Sequence, residues 1–128
     1  MTAADTPPSI LVGGSEADRA LLKTYLERNR LAVAGAAATL EEAHPQVLSH
    51  PEATLVLIHP SDVAATGSWI HERRGSGFVG RVGVISEPRR IPEYLGKGRW
   101  NDFVLKAPVV EADLCGAVRS SSRLSDRS

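Results

Sequence analysis

The residues of this chain that could do chemistry are few and far apart: Gly13 with Gly14, His59, Ser86 and Lys106. Each stands at the end of a short apolar run, in "SILVGG", "TLVLIHP", "RVGVIS" and "DFVLK". Paired glycines ahead of a helix-like stretch can cradle a phosphate. "GGSEADR", however, has neither the G-x-G-x-x-G of a dinucleotide site nor the closing G-K-[ST] of a P-loop. Glu16 and Asp18 would repel an anion there, so the glycines read as a tight strand-to-helix turn. Histidines 44, 50, 59 and 71 show no H-E-x-x-H or other ligand spacing, and the single Cys115 excludes an internal disulfide and a thiolate metal site. His59, Ser86 and Lys106 form no hydrolytic triad, because no acid is placed to orient the histidine. Asp62 reads as an N-cap or loop residue and Cys115 as a small core residue. No catalytic residue, metal or cofactor is expected.

These residues are positioned by alternating strand and helix signals. "SILV" (9–12) is followed by the amphipathic "SEADRALLKTYLERNR", with Ser15 as N-cap and Asp18 three residues on. "LAVAGA" precedes "TLEEAHPQVLSH", where Thr39 and Glu42 form a capping box and Pro45 should bend or shorten the helix. "ATLVLIHP" is apolar on both faces, as a central parallel strand must be. "GSWIHERR" predicts a third helix and "RVGVIS" a fourth strand. "IPEYLGKG" allows only a short helix opened by Pro92; "DFVLK" and "VVEADLCGAVRSSSR" complete the series. Five such units predict an α/β, doubly wound, five-stranded parallel sheet in the order 2-1-3-4-5. Its functional crevice would lie at the carboxyl ends of the strands. Residues 1–8 are expected to be a disordered arm, 9–120 the domain, and 121–128 a polar tail or linker.

The whole chain narrows the function classes. Its 128 residues suit one domain, and 15 basic residues balance 15 acidic ones, which gives no case for nucleic-acid or membrane binding. No apolar run approaches a membrane span, and "MTAADTPPS" lacks the basic start and apolar core of a signal peptide, so a cytoplasmic location is expected.

Over residues 9–120 the sequence resembles the receiver domain of bacterial response regulators, the modules of two-component signalling. The resemblance rests on "ILVGGSEADRALL", whose register puts Gly13 and Gly14 at the family's two acidic positions, and on "TLVLIHP", which puts His59 at the phosphorylated aspartate. It also rests on Gly67 eight residues later, on Ser86 at the Thr/Ser position, and on Phe103 three residues before Lys106. The resemblance implies a flavodoxin-like fold, a degenerate phosphorylation pocket of Gly13, Gly14, His59, Ser86 and Lys106, and a switch aromatic at Phe103. Three acids of three are replaced, so neither Mg²⁺ binding nor aspartyl phosphorylation is expected. The family's proline follows the lysine directly; here Ala107 intervenes, so a cis peptide would fall at Ala107–Pro108.

The function implied is an atypical receiver, or pseudo-receiver: a non-catalytic signalling module acting by protein–protein interaction or as a homodimer. The alternatives are a small-ligand sensor built on the emptied pocket and an unconventional phosphoacceptor. The family's docking face would draw on Arg89, Arg90, Tyr94, Leu95 and Trp100, with Phe103 and Arg99 beside them. Trp100 would be either an association anchor or a cap on the sheet edge. Arg73, Arg74, Arg81, Arg89 and Arg90 could form one basic patch for an acidic partner.

Overall fold

The computed structural model describes residues 6–96 and 99–120; the expectations for residues 1–5 and 121–128 lie outside the described residues, while within the expected arm the Pro8 carbonyl accepts from the Thr54 N–H at 2.9 Å. Strands β1 (Ser9–Gly13), β2 (Val33–Ala37), β3 (Thr54–Ile58), β4 (Val82–Ser86) and β5 (Phe103–Lys106) form one sheet in the order 2-1-3-4-5. All neighbours are parallel. The helices are α1 (Glu16–Arg28), α2 (Leu40–Ser49), α3 (Val63–Gly75) and α4 (Glu111–Arg119), with a 3₁₀ helix at Pro88–Tyr94 between β4 and β5.

The period-2 alternation of the strands separates two cores. Ile10, Val12, Leu55, Leu57 and Val82 meet Ala43 and Val47 of α2 and Ile70 of α3 on one face. Leu11, Val56, Ile58 and Ile85 meet Leu22 and Leu26 of α1 and Leu114 and Val118 of α4 on the other. Every residue of β3 and β4 is buried, as covering on both faces requires. Each fully buried Leu or Ile contributes roughly 1.5–3 kcal/mol of transfer free energy, which makes these central strands the rigid frame of the carboxyl edge.

Local chemistry explains the helix starts. Ser15 and Asp18 form the full reciprocal capping box of α1. At α2 the Thr39 hydroxyl accepts from the Glu42 N–H, but the Glu42 carboxylate reaches the Ala38 N–H, so the expected box closes one residue early. Pro45 neither ends nor shortens α2: it sits exposed, where water can serve the carbonyl its missing N–H leaves unbonded. α3 begins four residues before the expected Gly67, because Asp62 caps it by accepting from the Ala65 N–H at 2.9 Å. The fourth connection is a 3₁₀ helix because Pro92 has no N–H for the Pro88 carbonyl one α-turn before it. The Ala107–Pro108 peptide is cis.

Among the described residues, no helix is long and apolar enough to cross a membrane.

Candidate functional site

The carboxyl edge is shaped by three residues with left-handed backbone: Gly13 at φ 92°, Gly14 at φ 64° and His59 at φ 50°. The two glycines end β1 and turn the chain into α1. A Cβ on Gly13 would stand 2.7 Å from the Ile58 carbonyl oxygen, and one on Gly14 would stand 2.6 Å from Ile58 Cγ2. Both positions therefore exclude a side chain by conformation and by space. Arg19, one turn into α1, locks this turn: one guanidinium nitrogen donates to the Gly13 carbonyl at 2.8 Å and the Gly14 carbonyl at 2.9 Å. Asp18 stands beside it, and the Ser15 N–H bonded to its carboxylate holds that carboxyl below the usual range, with a smaller attraction from His59.

His59 follows β3. Its N–H donates to the Ile85 carbonyl at 2.8 Å, and its side chain is exposed. It lines a cavity of about 300 Å³ with Gly13, Gly14, Val12, Leu40 and Thr66, between the ends of β1 and β3 and the start of α2. Ser86 and Lys106 are opposite one another at the ends of β4 and β5, but neither lines this cavity. The Ser86 hydroxyl is buried and donates to the Glu87 carbonyl at 3.1 Å. The Lys106 side chain is exposed, with no hydrogen bond or ion pair among the described residues. The five pocket residues thus share one edge of the sheet, while the cavity gathers only Gly13, Gly14 and His59.

The divalent cation implied by the resemblance does not fit here. Mg²⁺ needs carboxylate oxygen ligands, and the end of β1 has no space for a side chain of any kind. Asp62 is committed to capping α3. Among the described residues, no group of three or more His, Cys, Asp or Glu could hold a metal ion.

Phe103 is fixed in place. Its ring lies over Gly83, where a Cβ would fall inside the ring's van der Waals envelope. The Arg81 guanidinium covers it at 4.9 Å from the centroid and donates to the Ala117 carbonyl of α4 at 2.8 Å. Arg81 is buried, which corrects the single exposed basic patch. Arg73 lies over Trp69, and Arg74 donates to the Gly80 carbonyl and pairs with Asp102. Arg89 remains exposed, paired with Glu87.

Two expected face residues point inward. Tyr94 is only 1% exposed, so it offers no surface anchor; burial raises its phenol pKa. Trp100 is half-buried against the α2–α3 core, edge-on to Tyr94 at 5.8 Å, over Gly67. Gly67 is small because Trp100 occupies the space its Cβ would need. Tyr94 and Arg90 tie the 3₁₀ helix to the loop after His59: the phenol donates to the Pro60 carbonyl at 3.3 Å and Arg90 donates to the same carbonyl at 3.1 Å. Leu95 stays 54% exposed. Cys115 is buried, and burial pushes its thiol pKa up.

Sequence reasoning passed over Arg19 and Thr66. Arg19 reads as an ordinary polar-face helix residue, and only the left-handed turn brings two carbonyls within its reach. Thr66 falls just before the expected start of α3, so nothing placed it over the strand ends.

With this geometry the chain has the fold of a receiver domain. It is similar to the crystal structure of the signal receiver domain of an HD domain-containing protein from Pseudomonas fluorescens Pf-5. The TM-score is 0.65 at 18% sequence identity, covering 91% of this chain and 94% of that one. At that identity the likeness establishes the fold alone. No protein-family model and no curated protein matches the sequence.

Proposed function

We propose that this chain is an atypical receiver domain, a signalling module that works by protein–protein association and takes no phosphoryl group on aspartate. The observation that carries this reading is the left-handed turn at Gly13 and Gly14, which leaves no room for the acids that would hold a metal. A transferring phosphoryl group develops charge that must be offset, and Lys106, exposed and outside the cavity, is the remaining cation at the matched positions. The pinned Phe103 supports the same reading: a ring held between Gly83 and Arg81 is not free to report a phosphorylation event. The surface left for association is the 3₁₀ helix and its flank, where Leu95 and Arg89 are exposed.

Intact-mass spectrometry after incubation with acetyl phosphate and Mg²⁺ tests the chemistry. The expected result is no adduct, with the same sedimentation coefficient before and after. A stoichiometric phosphoryl group on His59 or Asp62 would overturn the reading in favour of an unconventional phosphoacceptor.

A further inference from the structure

The cavity behind the His59 turn has its own chemistry. Thr66 lines it and is only 5% exposed, yet its hydroxyl has no hydrogen-bond partner among the described residues. α2 opens onto the same space. Its Thr39 hydroxyl serves the Glu42 N–H, so the Leu40 and Glu41 N–H groups of the first turn have no acceptor. The walls are apolar, formed by Val12, Leu40 and Leu57. The space lies at the carboxyl edge between β1 and β3, where the strand order reverses and ligands of open α/β sheets bind.

We propose that this cavity binds a small monocarboxylate with a short apolar body. Two unbonded N–H groups at the positive end of a ten-residue helix suit one carboxylate, and the Thr66 hydroxyl supplies a further donor. The charge balance limits the ligand to a single negative charge. Glu41 lines the cavity, and Arg19 is already engaged by the two glycine carbonyls. A phosphate dianion would carry twice the charge against Glu41, with His59 the one basic side chain in the lining. About 300 Å³ is at the lower end of ligand sites and suits a molecule no larger than an amino acid.

The inference rests on the cavity being one that is not phosphorylated. A titration of the full chain with isovalerate, followed by amide NMR shifts, tests it. Saturable shifts are expected at Gly14, Leu40, Glu41 and Thr66. The uncharged 3-methylbutan-1-ol and inorganic phosphate should each bind at least about tenfold more weakly. Thr66→Val should weaken isovalerate about five- to tenfold, and Glu41→Gln, at an exposed position that leaves the fold intact, should tighten it roughly two- to fivefold. Absent or scattered shifts, equal binding of the alcohol or of phosphate, or unchanged affinity in both variants overturn the proposal. A phosphoryl adduct would instead end the underlying reading, whereas an unphosphorylated chain without isovalerate shifts ends this inference alone.

Discussion

Gly13 and Gly14 sit side by side but are held by different atoms, and that difference predicts an order of effects. A side chain at Gly13 meets the Ile58 carbonyl, which is fixed in the β1–β3 ladder, whereas one at Gly14 meets Cγ2 and Cβ of the buried Ile58 side chain, which can give only by shifting within the core. Gly13→Ala should therefore cost more than Gly14→Ala, with each above about 1 kcal/mol, read from urea denaturation midpoints. Gly13→Asp should lose stability like Gly13→Ala and gain no Mg²⁺ affinity by calorimetry; a bound Mg²⁺ would show that the turn can relax and that the acids are merely absent. The glycine pair itself was legible in the sequence, because adjacent glycines between a strand and a capped helix mean a tight turn. The left-handed His59 was not legible, since nothing in "LIHPS" demands a positive φ there.

Elements were legible where periodicity and caps agreed, as in β1, β3, β4 and α1, and less so where proline or a distant partner decided. The start of α3 depends on Asp62 as a cap, and the role of Trp100 depends on Gly67, 33 positions away. Trp100→Ala opens the space above Gly67 and removes the contact with Tyr94, so it should cost about 3 kcal/mol of folding stability. A variant that keeps its thermal midpoint and loses only association would return Trp100 to the surface role. At the α1–α4 contact, Glu111 bonds Arg28 and Asn29. The Arg28 guanidinium and then the Asn29 amide lower its carboxyl from 4.5 to about 2. A carboxylate with a depressed folded pKa stabilises fully above the unfolded value, and that contribution fades as pH falls through about 2. Glu111→Gln should flatten the loss of stability between pH 4.5 and 2 in acid titrations followed by circular dichroism. Asp18 and Glu93 are also lowered, so a residual slope remains in the variant. An unchanged acid limb would mean that the Arg28 pair does not persist in solution.

In the whole molecule, the sheet divides two cores, and the 3₁₀ helix belongs fully to neither. It is held to the loop after His59 by Arg90, which donates to the Pro60 and Ser61 carbonyls, and by the Tyr94 phenol. Arg90 also pairs with Glu93 inside the helix, and that carboxylate raises its guanidinium pKa. These contacts bridge the cavity loop and the surface that carries Leu95, so the loop and the 3₁₀ helix should open together, as a unit of lower stability than the strands. Arg90→Ala tests this by hydrogen exchange. Amides of residues 61–62 and of the 3₁₀ helix should exchange faster, while those of β1, β3 and β4, buried between both cores, should keep their protection. If only the 3₁₀ helix loosens, the loop is held by its own turn and the two regions are uncoupled. If the central strands loosen as well, the helix is part of the global fold, and a change at the cavity would reach the surface only by unfolding the domain.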